Sequence, residues 1–335
     1  MKFGGTVASV LVFVIGAVCL ALPASAQSGA KKELVRLTYS SGWSALPAIV
    51  GIEAGFFDEQ NLLISGLSYS DERALIKSVV IGSTDFAAVP QRTLIVAAGS
   101  NLPVRAIALN GTGLQIDLIV PAASSVAGLP DLKGKTVAIG AGSEAYPLLM
   151  RLLNLNGMQP GDIRLRFLSG ADLVVAFDKQ QADAVIETRH YTSLLLKQGK
   201  AKALLPHEEI VRQLGVVGSQ ALITRAELIK DNPDIVQRFV NGWAKALLFI
   251  NQQPEAAARF LTIYFHRQGV VVRDEDARAW TSYLNYSRVA WTQNDIADAE
   301  FNGWGLVEGK IIKNSPKLQP FVDNRFATTA YAALQ

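Results

Sequence analysis

From Leu34 to Leu205, short apolar runs of strand length alternate with segments of helical spacing, and the alternation begins twice. In the first series Leu34–Tyr39, Leu62–Tyr69, Phe86–Val89 and Val104–Leu109 read as strands. Between them Ala45–Ala54, Glu72–Ile81 and Thr93–Ala98 read as helices, stopped at Gly55, Gly82 and Gly99. The second series has strands at Asp117–Val120, Thr136–Ile139, Leu165–Leu168, Ala184–Ile186 and Ala203–Leu205, with helices at Pro147–Asn156, Leu173–Gln180 and Ser193–Gln198. This order predicts α/β architecture, with two mostly parallel sheets in series, each flanked by helices.

After a further strand at Val216–Thr224 the pattern turns helical: Pro233–Asn251, Pro254–Tyr264, Asp274–Tyr286 and Asp295–Gly303. Pro233 and Pro254 stand at favourable first-turn positions. The tail is expected to pack at a sheet edge of the first unit, with Trp243, Trp280, Trp291 and Trp304 as helix-packing core.

Composition narrows the function. Lys and Arg total 32 and Asp and Glu 29, with no dense basic stretch, which argues against a nucleic-acid partner. The single cysteine, Cys19, permits no internal disulfide, redox pair or cysteine-rich zinc site. Residues 1–26 read as a signal peptide: Lys2, an apolar run over Val7–Leu22, Pro23, and the small-x-small site Ala24-Ser25-Ala26. Cleavage after Ala26 makes Gln27 the first residue of an exported protein without cysteine. Val18 before Cys19 is unlike the small residue that precedes a lipidated cysteine.

Two phosphate-loop look-alikes fail on context. Gly128 to Lys135 has one residue too many between its glycines and precedes its strand, whereas a phosphate loop follows one. Gly140-Ala-Gly142-Ser-Glu-Ala145 lies between a strand and a helix, as a dinucleotide fingerprint does. The acidic residue expected about 20 positions on is missing, Asp172 being too far away. The surviving physics is close backbone approach and free N–H groups that favour an anion. Catalytic patterns are sparse: three histidines (His190, His207 and His266), no G-x-S-x-G elbow, and His207-Glu208-Glu209 in what reads as a surface turn. No cofactor, metal or enzymatic activity is expected, and His190 with Glu187 is the one candidate acid–base pair.

Three segments carry a family resemblance. Gly51 to Leu62 (GIEAGFFDEQNL) resembles the A-x-x-x-G-[FL]-F-x-x-x-G-L segment of the nitrate/sulfonate/taurine-type periplasmic binding proteins, a group that includes the thiamine-pyrimidine-binding relatives. Asn61 replaces the second glycine and is the next best residue for a left-handed turn. Ile81 to Phe86 (IGSTDF) resembles a second turn of that family. Asp131 to Glu187, opening with DLKGK and carrying Gly157-Met158 and Asp162, resembles its longest motif.

The resemblance implies a two-lobed type II binding fold, crossed twice by the chain near Gln115–Leu118 and Val216–Gln220. Lobe one would comprise residues 33–115 and 217–335, with the helical tail, and lobe two residues 116–216. It also implies an ABC permease and its ATPase as partners, a small organic anion (sulfonate, taurine-like or carboxylate) as ligand, and a monomer. A ligand-sensing module for a signalling receptor, or a binder of a thiamine-precursor-like pyrimidine, are the alternatives.

In such a fold the cleft lies at the carboxyl ends of the strands. The candidate ligand-binding residues in those loops are Ser41, Gly42, Trp43, Ser70, Asp71, Gln91, Arg92 and Asn110 from the first unit. From the second come Gly142, Ser143, Glu144, Asp172, Glu187 and Arg189. Arg92 or Arg189 would neutralise an anion and Trp43 would wall in its organic part, while Ser70, Ser143 and Asp172 equally suit helix caps. Arg189 and Glu187 equally suit pairing with each other. Glu187 would bind an amine or reject small inorganic anions.

Overall fold

The computed structural model describes residues 32–40, 45–69, 71–140, 143–308 and 310–335. The leader, with its cleavage site, lies outside them. Two five-stranded sheets form. The first contains β1 (Glu33–Ser40), β2 (Leu62–Tyr69), β3 (Phe86–Val89), β4 (Val104–Thr112) and β10 (Ser219–Arg225), in the order β2-β1-β3-β10-β4. The second contains β5 (Ile116–Pro121), β6 (Thr136–Gly140), β7 (Arg164–Leu168), β8 (Ala184–Thr188) and β9 (Ala201–Leu205), in the order β7-β6-β8-β5-β9.

In each sheet four strands run one way and one runs against them. The reversed strands, β10 and β5, are the first strands after the chain passes between sheets, at 113–115 and 215–218. A strand entering from the other sheet arrives at the carboxyl ends of its new neighbours, so it can only run antiparallel to them.

Each sheet is covered on both faces. In the first, α1 (Leu46–Glu53) and α9 (Pro233–Gln252) enclose one core, where Phe239 stacks on Phe86 at 3.9 Å between ring centroids. The opposite core belongs to α2 (Glu72–Val80), α3 (Gln91–Gly99) and α12 (Gln293–Glu308). In the second sheet α4 (Ala145–Leu155) and α7 (His207–Leu214) cover one face, and α5 (Gly170–Asp178) and α6 (Arg189–Lys197) the other.

The tail meets the expected edge of the first sheet and also covers both of its faces. Its helices lie on the faces, while its connecting segments line the edge strand β4: Val322 bridges to Ala106, Asn285 bridges to Thr112, and Val289 O accepts the Leu109 N–H at 2.7 Å. Its amphipathic helices carry enough apolar surface to cover sheet faces, which an edge strand could not bury. Trp243 and Trp291 are buried and donate their indole N–H groups to the carbonyls of Leu109 and Ala108. Trp280 is partly buried against Phe265, but Trp304 is 60% exposed and is not core.

Helix α11 (Asp274–Thr281) stops five residues before the expected Tyr286, because Asn285 exchanges backbone hydrogen bonds with Thr112 at the end of β4. Residues 207–214, read as a turn in part, are the helix α7. Three short elements had no periodic signal long enough to read: α7, α8 (Ala226–Asp231) and α13 (Arg325–Ala332). Helix α10 (Pro254–Arg267) follows its expected course, one turn longer.

The family-like motifs turn out to build turns. Asn61 has φ +56°, the left-handed conformation expected where the family pattern has glycine. Asp85 accepts from Arg36 on β1 and is ion-paired with Arg225 on β10, fastening three strands. Asp131 caps the backbone N–H groups of Ala127 and Gly128, and Asp162 accepts from Gln159 N and pairs with Lys133.

Candidate functional site

Register places both passages at the same ends of the sheets. Ser219 pairs with Thr112, and Ile116 with Thr188, so residues 113–115 and 215–218 lie at the carboxyl ends of β4 and β8. The passages touch: Gly113 N donates to Gly218 O at 3.1 Å. Gly218 has φ +60°, and a Cβ there would stand 2.8 Å from the Gly113 carbonyl oxygen, so this crossing needs glycine.

On the side of the second sheet, the end of β8 carries Glu187, only 4% exposed. Its Oε2 accepts the N–H of Gly140 at 3.0 Å, and its Oε1 accepts the Ser143 hydroxyl at 3.1 Å and the Thr188 N–H at 2.8 Å. Burial pushes its pKa up, against these hydrogen bonds, which favour the charged form. A Cβ at Gly140 would collide with Glu187 Oε2, so any larger residue here has to push the carboxylate aside. Ser143 also accepts from Ala145 N at 3.1 Å, so its hydroxyl serves both as the first-turn cap of α4 and as a donor to Glu187.

Beside it Asp117, buried on β5, accepts from Thr192 Oγ1 at 3.1 Å and from the His207 backbone N–H at 2.9 Å. Arg189 Nε lies 3.5 Å from Asp117 Oδ2, an ion pair too poorly aimed to count as a hydrogen bond, and Arg189 Nη1 is 3.4 Å from His207 Nδ1. Burial opposes the charge on Asp117, but His207 and Arg189 hold its carboxyl below the usual range. Arg189 therefore pairs with Asp117 and not with Glu187.

On the side of the first sheet, Gln91 opens α3 fully buried. Its amide faces Asp298 Oδ2 at 3.4 Å, and its carbonyl accepts from Asn302 at 2.7 Å. Asn110 is buried near the end of β4, and Arg92 is half-buried beside Gln91. Near the passages, side chains of the two sides also meet directly. The Gln115 amide donates to Tyr283 O, the Arg189 guanidinium lies 5.7 Å from the Tyr283 ring, and Lys197 pairs with Asp276 at 3.3 Å.

The candidate residues thus separate into groups. Gln91, Arg92, Asn110, Ser143, Glu144, Glu187 and Arg189 stand at the strand ends. Asp71 and Asp172 are exposed and engaged locally, Asp71 capping Arg73 N and Asp172 bonding Ser169. Ser41, Gly42, Trp43, Ser70 and Gly142 lie outside the described residues, as does the side chain of His190. Sequence reasoning missed Asp117, Asp295 and Asp298. A signal existed for the first, since an aspartate inside the apolar run Ile116–Val120 must be paired to be buried. The other two look like polar-face residues of a helix until packing buries them.

The comparisons agree with this geometry. A family model described as NMT1/THI5 like matches residues 44–257. The taurine-binding periplasmic protein of Escherichia coli K12 is 23% identical over 227 residues, covering 67% of this chain and 68% of its own. The periplasmic aliphatic sulphonate binding protein SsuA of Escherichia coli superposes with a TM-score of 0.73 at 17% identity, covering 87% of this chain and 92% of that one. The desulfurization enzyme DszB superposes with a TM-score of 0.67 at 13% identity, covering 90% of this chain and 100% of that one, so the fold itself also hosts catalysis. Two five-stranded sheets, two touching passages and a match over most of the sheet-forming chain together place this protein in the NMT1/THI5-like family, with the two-lobed fold of the periplasmic binding proteins.

Proposed function

We propose that this protein is the solute-binding component of an ABC importer, exported to the periplasm, working as a monomer and catalysing no reaction. Its ligand is a small organic anion of the sulfonate class. The lobes, residues 33–115 with 217–335 and residues 116–216, turn about the two passages and close over the ligand, and the closed form delivers it to the permease and its ATPase. The observation that carries this reading is the pair of touching passages at the strand ends, where a two-lobed molecule can move with little repacking. The binding proteins for taurine and aliphatic sulfonates among its relatives support the ligand class.

The test is a thermal-shift panel on the chain from Gln27, freed of carried-over ligand. Alkanesulfonates, taurine, nitrate, aromatic carboxylates and pyrimidines form the panel. A ligand at 100 times its Kd adds about 2.7 kcal/mol, which raises the melting temperature by a few degrees. A shift confined to sulfonates supports the reading. A shift confined to pyrimidines, or turnover of a bound compound, overturns it.

A further inference from the structure

We infer that Glu187 is a specificity-determining residue which makes this chain select ligands carrying an ammonium or similar cationic group over plain anions of the same size. The inference rests on the binding role proposed above and refines its ligand class.

Glu187 is a buried carboxylate held by neutral donors: the backbone N–H groups of Gly140 and Thr188 and the hydroxyls of Ser143 and Thr188. Among the described residues no cation pairs with it, since the neighbouring Arg189 is committed to Asp117. A buried charge is costly without a counter-charge, and its burial here already disfavours the ionised form. A ligand cation arriving in the cleft would supply that counter-charge.

The same hydrogen bonds count against an anion at this spot. The Ser143 hydroxyl has one proton to donate, and Glu187 Oε1 takes it. The Gly140 N–H, at the mouth of the strand-to-helix loop, is taken by Oε2. Donors that would otherwise receive an oxyanion from the second sheet are therefore occupied by the protein's own carboxylate.

The experiment uses two matched pairs in calorimetry: 2-aminoethanesulfonate against ethanesulfonate, and 3-aminopropanoate against propanoate. The wild-type chain should bind the amine-bearing member of a pair at least tenfold more tightly. Glu187→Gln keeps an acceptor for Ser143 and Thr188 but removes the charge. It should erase that preference while leaving the plain anion as tightly bound or tighter. Gly140→Ala, whose Cβ would displace the carboxylate, should weaken the preference in the same direction.

A preference seen only in the carboxylate pair would overturn the sulfonate reading and support the role of Glu187. Equal affinity within both pairs, or no binding in either, overturns the role of Glu187. So does a parallel loss for both members in Glu187→Gln, which marks a residue that only holds the loop.

Discussion

Asp298 of α12 accepts the backbone N–H of Gly218 at 3.0 Å, inside the second passage between the sheets. Asp295, one turn earlier, accepts the hydroxyl of Ser219. One helix of the C-terminal tail therefore fastens the point where the chain returns to the first sheet. Asp298→Ala would leave the Gly218 N–H and the Gln91 amide without this acceptor. We expect a loss of about 2–3 kcal/mol in urea unfolding, the cost of stranding buried polar groups. A change below about 0.5 kcal/mol would show that water replaces the carboxylate.

Helix α12 also meets α4 of the second sheet. A Cβ at Gly305 would collide with the Pro147 ring, and the Arg151 guanidinium lies 4.6 Å from the Phe301 ring. Gly305→Ala should force the two helices apart, costing about 1–3 kcal/mol. Small-angle scattering on the unliganded variant should report a larger radius of gyration, because this seam joins elements of different sheets. An unchanged radius with unchanged stability would mean that the helices slide without cost.

Acid should loosen the same region. Asp295 is fully buried, and burial alone would raise its pKa, but bonds from Arg288, Ser219 and Thr292 bring it down to about 2. An aspartate in the unfolded chain titrates near 3.9. The native pKa is thus depressed, so its contribution, about 2 kcal/mol, is complete above the unfolded-state value and is lost as pH falls from about 4 through 2. Asp295→Asn should be less stable than wild type at pH 7, with the gap narrowing toward pH 2. A gap independent of pH would remove Asp295 from the acid transition.

The left-handed turn at Asn61 offers a backbone test. Glycine there relieves the φ of +56°, whereas a β-branched residue is strained by about 1–2 kcal/mol. Asn61→Gly should leave the urea midpoint nearly unchanged and Asn61→Val should lower it. Equal midpoints would show that the turn relaxes to another conformation.

Much of the architecture was legible because local chemistry decides it. Leu62–Tyr69 and Phe86–Val89 form strands over the expected residues, since apolar runs of strand length bounded by turn residues have few alternatives. Asn61, Asp131 and Asp162 act within a few residues of themselves, so their turns follow from spacing. Asp71 caps its helix equally locally, whereas the cap of α5 falls on Ser169, three residues before the Asp172 that the sequence offered for that role.

What remained hidden depends on partners far away in sequence. Asp298 and Asn302 read as the polar face of a helix until α12 lands on Gln91 and Gly218. Arg189 and Glu187, two residues apart, suited each other, yet each found partners far away in sequence: Asp117 of β5 for one, Gly140 at the end of β6 and Ser143 before α4 for the other. By itself the sequence determined the strands and the longer helices, several of their turns, and that the α/β pattern runs twice. Only the tertiary structure decided which buried charges are paired. A charge chooses its partner by distance and desolvation in three dimensions, and neither is encoded in local spacing.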